Sequence, residues 1–184
     1  MEFIKLKQID KGWSSFIYLV KEKTTNKIYI LKETREKSNR KELAKREGSM
    51  LSLANSVGIG PKIKKIDYEN NGVIMEYIKG KEISKFIFED FEKITKYQLY
   101  ELIKDLYRQL YKLDKINLSH NQLLGGKNIL ITKKRKNYFP IIIDFEKSNL
   151  KEKTKNIGQI DSFLFYNPNS EIAKKIREKL EIKL

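Results

Sequence analysis

Cysteine is absent from the chain, and with it go a disulfide framework, a thiolate zinc site and cysteine nucleophilic catalysis. A single histidine, His120, leaves no material for a metal cluster built on imidazoles. No apolar run approaches the ~20 residues that a membrane-crossing helix needs. The opening MEFIKLKQID has neither an apolar signal core nor a cleavage site, so the expectation is a soluble cytoplasmic protein with no membrane partner. Proline is scarce at three residues, which leaves long stretches free to form regular elements.

What remains is charge and hydrophobic periodicity. Over 184 residues, 39 Lys and Arg stand against 24 Asp and Glu, a net +15 that attracts polyanions such as nucleotides, RNA or acidic protein. A Lys/Glu-rich surface of the hyperthermophile kind has the same composition. The length suits one compact unit with two lobes.

Residues 3 to 32 alternate and break at DKGWSS and TTN, which predicts a three-stranded antiparallel meander. From Ser38 the period lengthens: Leu43, Arg46/Glu47, Met50, Leu51 and Ala54 mark a helix with Ser38 or Asn39 as its N-cap and Gly58 and Gly60-Pro61 at its end. A second hairpin turns at Asn70-Asn71-Gly72. After Gly80 helical spacing dominates, strongest in TKYQLYELIKDLYRQLYKLDKI, interrupted by the strands NILIT and YFPIIIDF around the basic turn KKRKN. Two short helices, within IGQIDSFLFY and SEIAKKIREKLEIKL, end the chain.

Several residues in this order carry chemistry. Gly12, Ser14 and Ser15 in the turn KGWSS are small enough to let backbone N–H groups approach a phosphate, although an ordinary hairpin turn has the same composition. Lys32 lies inside the apolar strand YILKE, and Glu47 on the mixed face of the next helix; either alone reads as a surface charge. His120 opens the loop HNQLLGGKN and Asn128 closes it, with no acid between them. Asp144 ends the apolar strand IIID, where a carboxylate is costly to bury unless paired or bound to a cation. Glu146 follows two residues later.

Strand lysine, helix glutamate, His-to-Asn loop, strand and Asp-Phe together resemble the protein-kinase-like superfamily, nearest in compactness to small archaeal atypical kinases of the RIO-like and predicted serine/threonine type. The resemblance covers most of the chain. It implies an α+β, bilobal fold: an N-lobe over residues 1–79 with an antiparallel sheet and one helix, and a reduced, mainly helical C-lobe over 80–184. It further implies that Gly12, Ser14 and Ser15 cover phosphates, that Lys32 held by Glu47 pairs them, and that backbone groups of Glu76 and Ile78 meet adenine. His120 braces the loop, while Asn128 and Asp144 hold Mg²⁺ beside ATP.

The chain departs from the family pattern in three places. His120 and Asn128 are eight positions apart instead of seven, the loop aspartate that accepts the substrate proton is missing, and Glu146 replaces the glycine of Asp-Phe-Gly. Asn121 or Gln122 can orient a hydroxyl but cannot take its proton, and Glu146 is a candidate substitute acid. Only seventeen positions separate Asp144 from Asp161, which resembles the aspartate opening the next kinase helix, so the peptide-docking platform is absent. The expected function is slow phosphoryl transfer to a Ser/Thr hydroxyl, autophosphorylation or ATP hydrolysis. The alternatives are a pseudokinase that only binds nucleotide, or an RNA- or ribosome-associated protein using KKRK at 133–136 and the C-terminal helix.

Overall fold

The computed structural model describes residues 2–12, 14–35 and 42–183. They divide into two compact units, Met1–Tyr77 and Ile78–Leu184. The chain is α+β: an antiparallel sheet with one helix, followed by a mainly helical unit.

In the first unit β1 (Phe3–Lys11), β2 (Ser15–Glu22) and β3 (Ile28–Thr34) form the expected meander, and β4 (Ile63–Asp67) and β5 (Gly72–Glu76) the second hairpin. Strand β5 pairs with β3, giving the antiparallel order β1-β2-β3-β5-β4. The β2–β3 and β4–β5 turns each place an asparagine in the left-handed region, Asn26 at φ 58° and Asn71 at φ 48°, a conformation that asparagine tolerates better than most residues. Phe3, Tyr18 and Tyr29 pack around Val20, Leu31 and Ile74 on the sheet.

Helix α1 (Leu43–Ser56) buries Leu43, Ala44, Leu51 and Ala54 at helical spacing. The expected caps Ser38 and Asn39 lie outside the described residues. The Asn71 side chain accepts the N–H of Ala44 at 2.9 Å, so the β4–β5 turn satisfies one of the orphan donors at the helix start. At the other end Asn55 donates to the carbonyls of Ile59 and Pro61 and accepts from Ile63 N–H, stitching the Gly58–Pro61 turn to β4. Gly48 is required by contact, since a Cβ there would stand 2.9 Å from Ile66 Cδ1.

The second unit is built on α3 (Lys96–Lys115), opened by a capping box between Thr95 and Gln98 and burying Leu99, Leu102, Ile103, Leu106, Leu110 and Leu113. The ambiguous stretch before it resolves into α2 (Ile83–Glu89) and a 3-10 turn, Phe91–Lys93. Strands β8 (Ile129–Lys134) and β9 (Asn137–Ile142) form the predicted hairpin, to which the short β6 (Lys81–Glu82) adds. A two-residue pairing of β7 (Leu118–Ser119) with β10 (Asn149–Leu150) is not visible in the sequence pattern. Helix α4 (Asn156–Asp161), a π turn at Ser162–Tyr166 and α5 (Glu171–Leu180) complete the unit. Among the described residues no helix is long and apolar enough to cross a membrane.

Candidate functional site

The first unit holds a buried ion pair. Lys32 sits in the middle of β3, in register with Ile17 of β2 and Val73 of β5, so strand alternation fixes the direction of its side chain. Its Nζ lies 2.8 Å from Glu47 Oε2, with side-chain exposures of 8% and 2%. Two long charged side chains withdrawn this far from water persist only because each neutralises the other.

The turn that precedes β2 is tightly closed. Gly12 N–H donates to the Ser15 carbonyl at 2.9 Å, and Arg35 grips the turn from β3 through its N–H to Ser14 O and its guanidinium to Gly12 O. Ser14 and Ser15 are buried. The Gly12 N–H expected to face a phosphate is therefore engaged within the turn, while Trp13 lies outside the described residues. At the end of β5 the Glu76 N–H, expected to face an adenine edge, is also engaged, donating to Lys62 O at 2.8 Å. Ile78 opens the second unit.

In the second unit the loop from His120 to Asn128 is held from several sides. His120 Nε2–H donates to the Ile143 carbonyl at 2.8 Å, and its ring stands edge-on to Phe145 with centroids 4.9 Å apart. Both rings are fully buried. Asn128 donates from Nδ2 to the Gln122 carbonyl at 3.1 Å, and its own carbonyl accepts Ile143 N–H at 2.9 Å. That last bond extends the β8–β9 pairing by one step and brings Asn128 to the hairpin end from which Asp144 emerges.

Asp144 has φ 62°, a left-handed conformation uncommon for a residue with a Cβ. A carboxylate oxygen of Asp144 lies within 4.8 Å of one from Glu146. Two carboxylates at that spacing repel unless a cation or a proton intervenes. Hard carboxylate donors at this spacing suit Mg²⁺, the ion that the kinase resemblance implies.

Three further positions qualify the sequence reading. The Asn121 amide is not available to orient a substrate: Nδ2 donates to Lys147 O and Asn149 Oδ1, while Oδ1 accepts from Ser119 Oγ. Its side chain instead ties the loop to the β7–β10 pairing, and Gln122 meets Asn128 through its main-chain carbonyl. Asp161 closes α4 instead of opening a helix, and it accepts a hydrogen bond from the Tyr107 hydroxyl; other residues of α4 brace the loop. That work falls to Asn156, whose Oδ1 accepts His120 N–H at 2.8 Å, and to Gln159, whose Oε1 accepts Leu123 N–H at 2.9 Å. The sequence signal was slight: two amides three residues apart, on one face of a short helix.

No family model matches the chain. An uncharacterized protein of Methanocaldococcus jannaschii, MJ1211, is 37% identical over 108 residues, which span 59% of this chain and 84% of the relative. The chain belongs to the family of that protein. Among solved structures, the autoinhibited serine kinase domain of the giant muscle protein titin superposes with a TM-score of 0.62 at 18% identity, over 80% of this chain. The match takes in 46% of the titin chain, so this chain spans less than half of that neighbour's length. The likeness establishes a protein-kinase-like fold.

Proposed function

We propose that the protein binds ATP with Mg²⁺ and transfers phosphate slowly, as a small archaeal atypical kinase of the RIO-like type. The observation that carries this reading is the buried Lys32–Glu47 pair in β3 and α1. A chain with a surface full of charge has no structural need to bury two more, and an apolar pair of the same volume would be at least as stable. A lysine held by a carboxylate and directed by a central strand is suited to neutralise phosphate charge.

In this reading Lys32 engages the phosphates and Glu47 fixes its direction. Asp144, with Asn128 and Glu146, would hold Mg²⁺, which supplies charge neutralisation on the phosphates when bound. His120 donates to Ile143 O and packs on Phe145, keeping Asp144 at the end of its strand. Gln122 presents an amide that can align an acceptor hydroxyl. It cannot accept the proton, and loss of a positioned base commonly costs about 10²–10⁴-fold in rate. Because phosphoryl transfer depends mainly on positioning and electrostatics, a reduced rate remains. The acceptor would be a protein Ser or Thr, the chain itself, or water.

A pseudokinase is the second reading, favoured by the commitment of Asn121 to the loop's own structure. Incubation with Mg²⁺ and γ-labelled ATP separates the two. Phosphate release or protein labelling that disappears in both Lys32→Ala and Asp144→Ala supports transfer. Nucleotide binding with turnover no greater than in those variants makes the protein a binding module.

A further inference from the structure

Helix α3 has one face that neither its core packing nor the kinase-like reading uses. Tyr97, Tyr100, Lys104, Arg108, Tyr111 and Lys115 recur at steps of three and four, forming one stripe about 27 Å long at 1.5 Å per residue. The three tyrosines are among the most exposed large side chains of the chain, at 71%, 53% and 55%. Two of them have a lysine ammonium over the ring. Lys104 Nζ lies 5.5 Å from the Tyr100 ring centroid, and Lys115 Nζ 5.1 Å from that of Tyr111.

Beside the stripe runs an open groove of about 520 Å³, floored by Tyr107, Phe165 and Leu180. Its shape is held by two bonds: the Tyr107 hydroxyl to Asp161, and Arg177 to the Phe165 carbonyl. The groove and stripe belong wholly to the second unit, which carries 23 basic against 14 acidic residues.

We infer that this face is a platform for single-stranded nucleic acid. Exposed rings interspersed with cations offer stacking surfaces for bases and counter-charges for the phosphates that connect them. A duplex hides its base faces and would use the cations alone. Two acids share the helix surface, Glu101 at 3.0 Å from Lys104 and Asp105 at 3.9 Å from Arg108. Exposed pairs of this type are weak and yield readily to a phosphate. The basic turn at 133–136 is on a different flank, because Gln98, which donates to Lys136 O, lies roughly 100° or more around the helix from Tyr97, Tyr100 and Lys104.

The test is fluorescence anisotropy of a labelled oligouridylate against the full chain, without ATP or Mg²⁺, so that the outcome is independent of the kinase reading. Saturable binding that weakens with salt is expected, and Tyr100→Ala/Tyr111→Ala should weaken it roughly tenfold or more. Lys104→Gln/Lys115→Gln should flatten the salt dependence. Circular dichroism checks that the variants fold, and Tyr100→Leu/Tyr111→Leu, which keeps bulk but removes the stacking face, should weaken binding as the alanine variant does. Three outcomes overturn the inference: no binding by the wild type, equal affinity for a duplex of the same length, or unchanged affinity in both tyrosine variants. Binding of an acidic peptide that the oligouridylate cannot displace also overturns it.

Discussion

Asn156 Oδ1 accepts the main-chain N–H of His120 across thirty-six residues, while Asn156 Nδ2 donates to Leu118 O and Asp114 Oδ1, both at 2.7 Å. One buried amide thus fixes the entry to the loop from both sides of Ser119. Asn156→Ala would leave the His120 N–H and the Leu118 carbonyl unsatisfied, at about 1–3 kcal/mol for each buried group. Urea unfolding should show that loss, and hydrogen exchange at His120 should accelerate. Unchanged protection at His120 would remove Asn156 from its bracing role.

The two glycines at the loop tip have different duties. Gly126 has φ 67°, and a Cβ there would overlap the Phe163 ring and lie 2.8 Å from Ile83 Cγ2. At Gly125 a Cβ meets nothing within 4 Å. Gly126→Ala should therefore destabilise by about 1–3 kcal/mol through forced repacking, and Gly125→Ala should be close to neutral. Equal melting temperatures for the two variants would contradict this assignment.

The Lys32–Glu47 pair separates stability from function. Lys32→Ala strands a buried carboxylate and should cost about 3–5 kcal/mol in chemical denaturation. Lys32→Met/Glu47→Leu should restore most of that stability, because apolar residues of similar volume replace a buried pair at little cost. It should not restore nucleotide binding. Recovery of both would show that the pair has no role towards phosphate.

Asp90 provides a pH test remote from the loop. Hydrogen bonds from Lys81 and Lys93 hold its carboxyl down, from an ordinary 3.8 to about 2. A depressed carboxylate pKa contributes stability that is complete above the unfolded value and lost as pH falls through the folded one. The melting temperature of the wild type should fall relative to Asp90→Asn as pH drops from about 4 towards 2. Parallel profiles for the two proteins across that window would refute the linkage.

Local pattern made most of the fold legible. Alternation and the turn clusters located β1 to β5, and the steps of three and four located α3 and its buried leucines. The missing acid between His120 and Asn128 was plain in the letters. The sequence did not show where side chains bond through space. Asn121, a residue of the loop, proved to be committed to Lys147 and Asn149, whereas Asn156 and Gln159, which lie outside the loop, brace it. These are side-chain bonds between segments about 26 to 36 residues apart, and no periodicity encodes them. Lys32 and Glu47 were readable as partners from element order, but their depth of burial became visible only once the sheet had formed around Val73.

Calorimetric titration of ATP into the full chain, with Mg²⁺ and then with a chelator, tests the central proposal most directly. Saturable binding that depends on Mg²⁺ and is lost in Lys32→Met/Glu47→Leu and in Asp144→Ala is the predicted result. Absence of binding by the wild type, or the same affinity in both variants, would contradict the account.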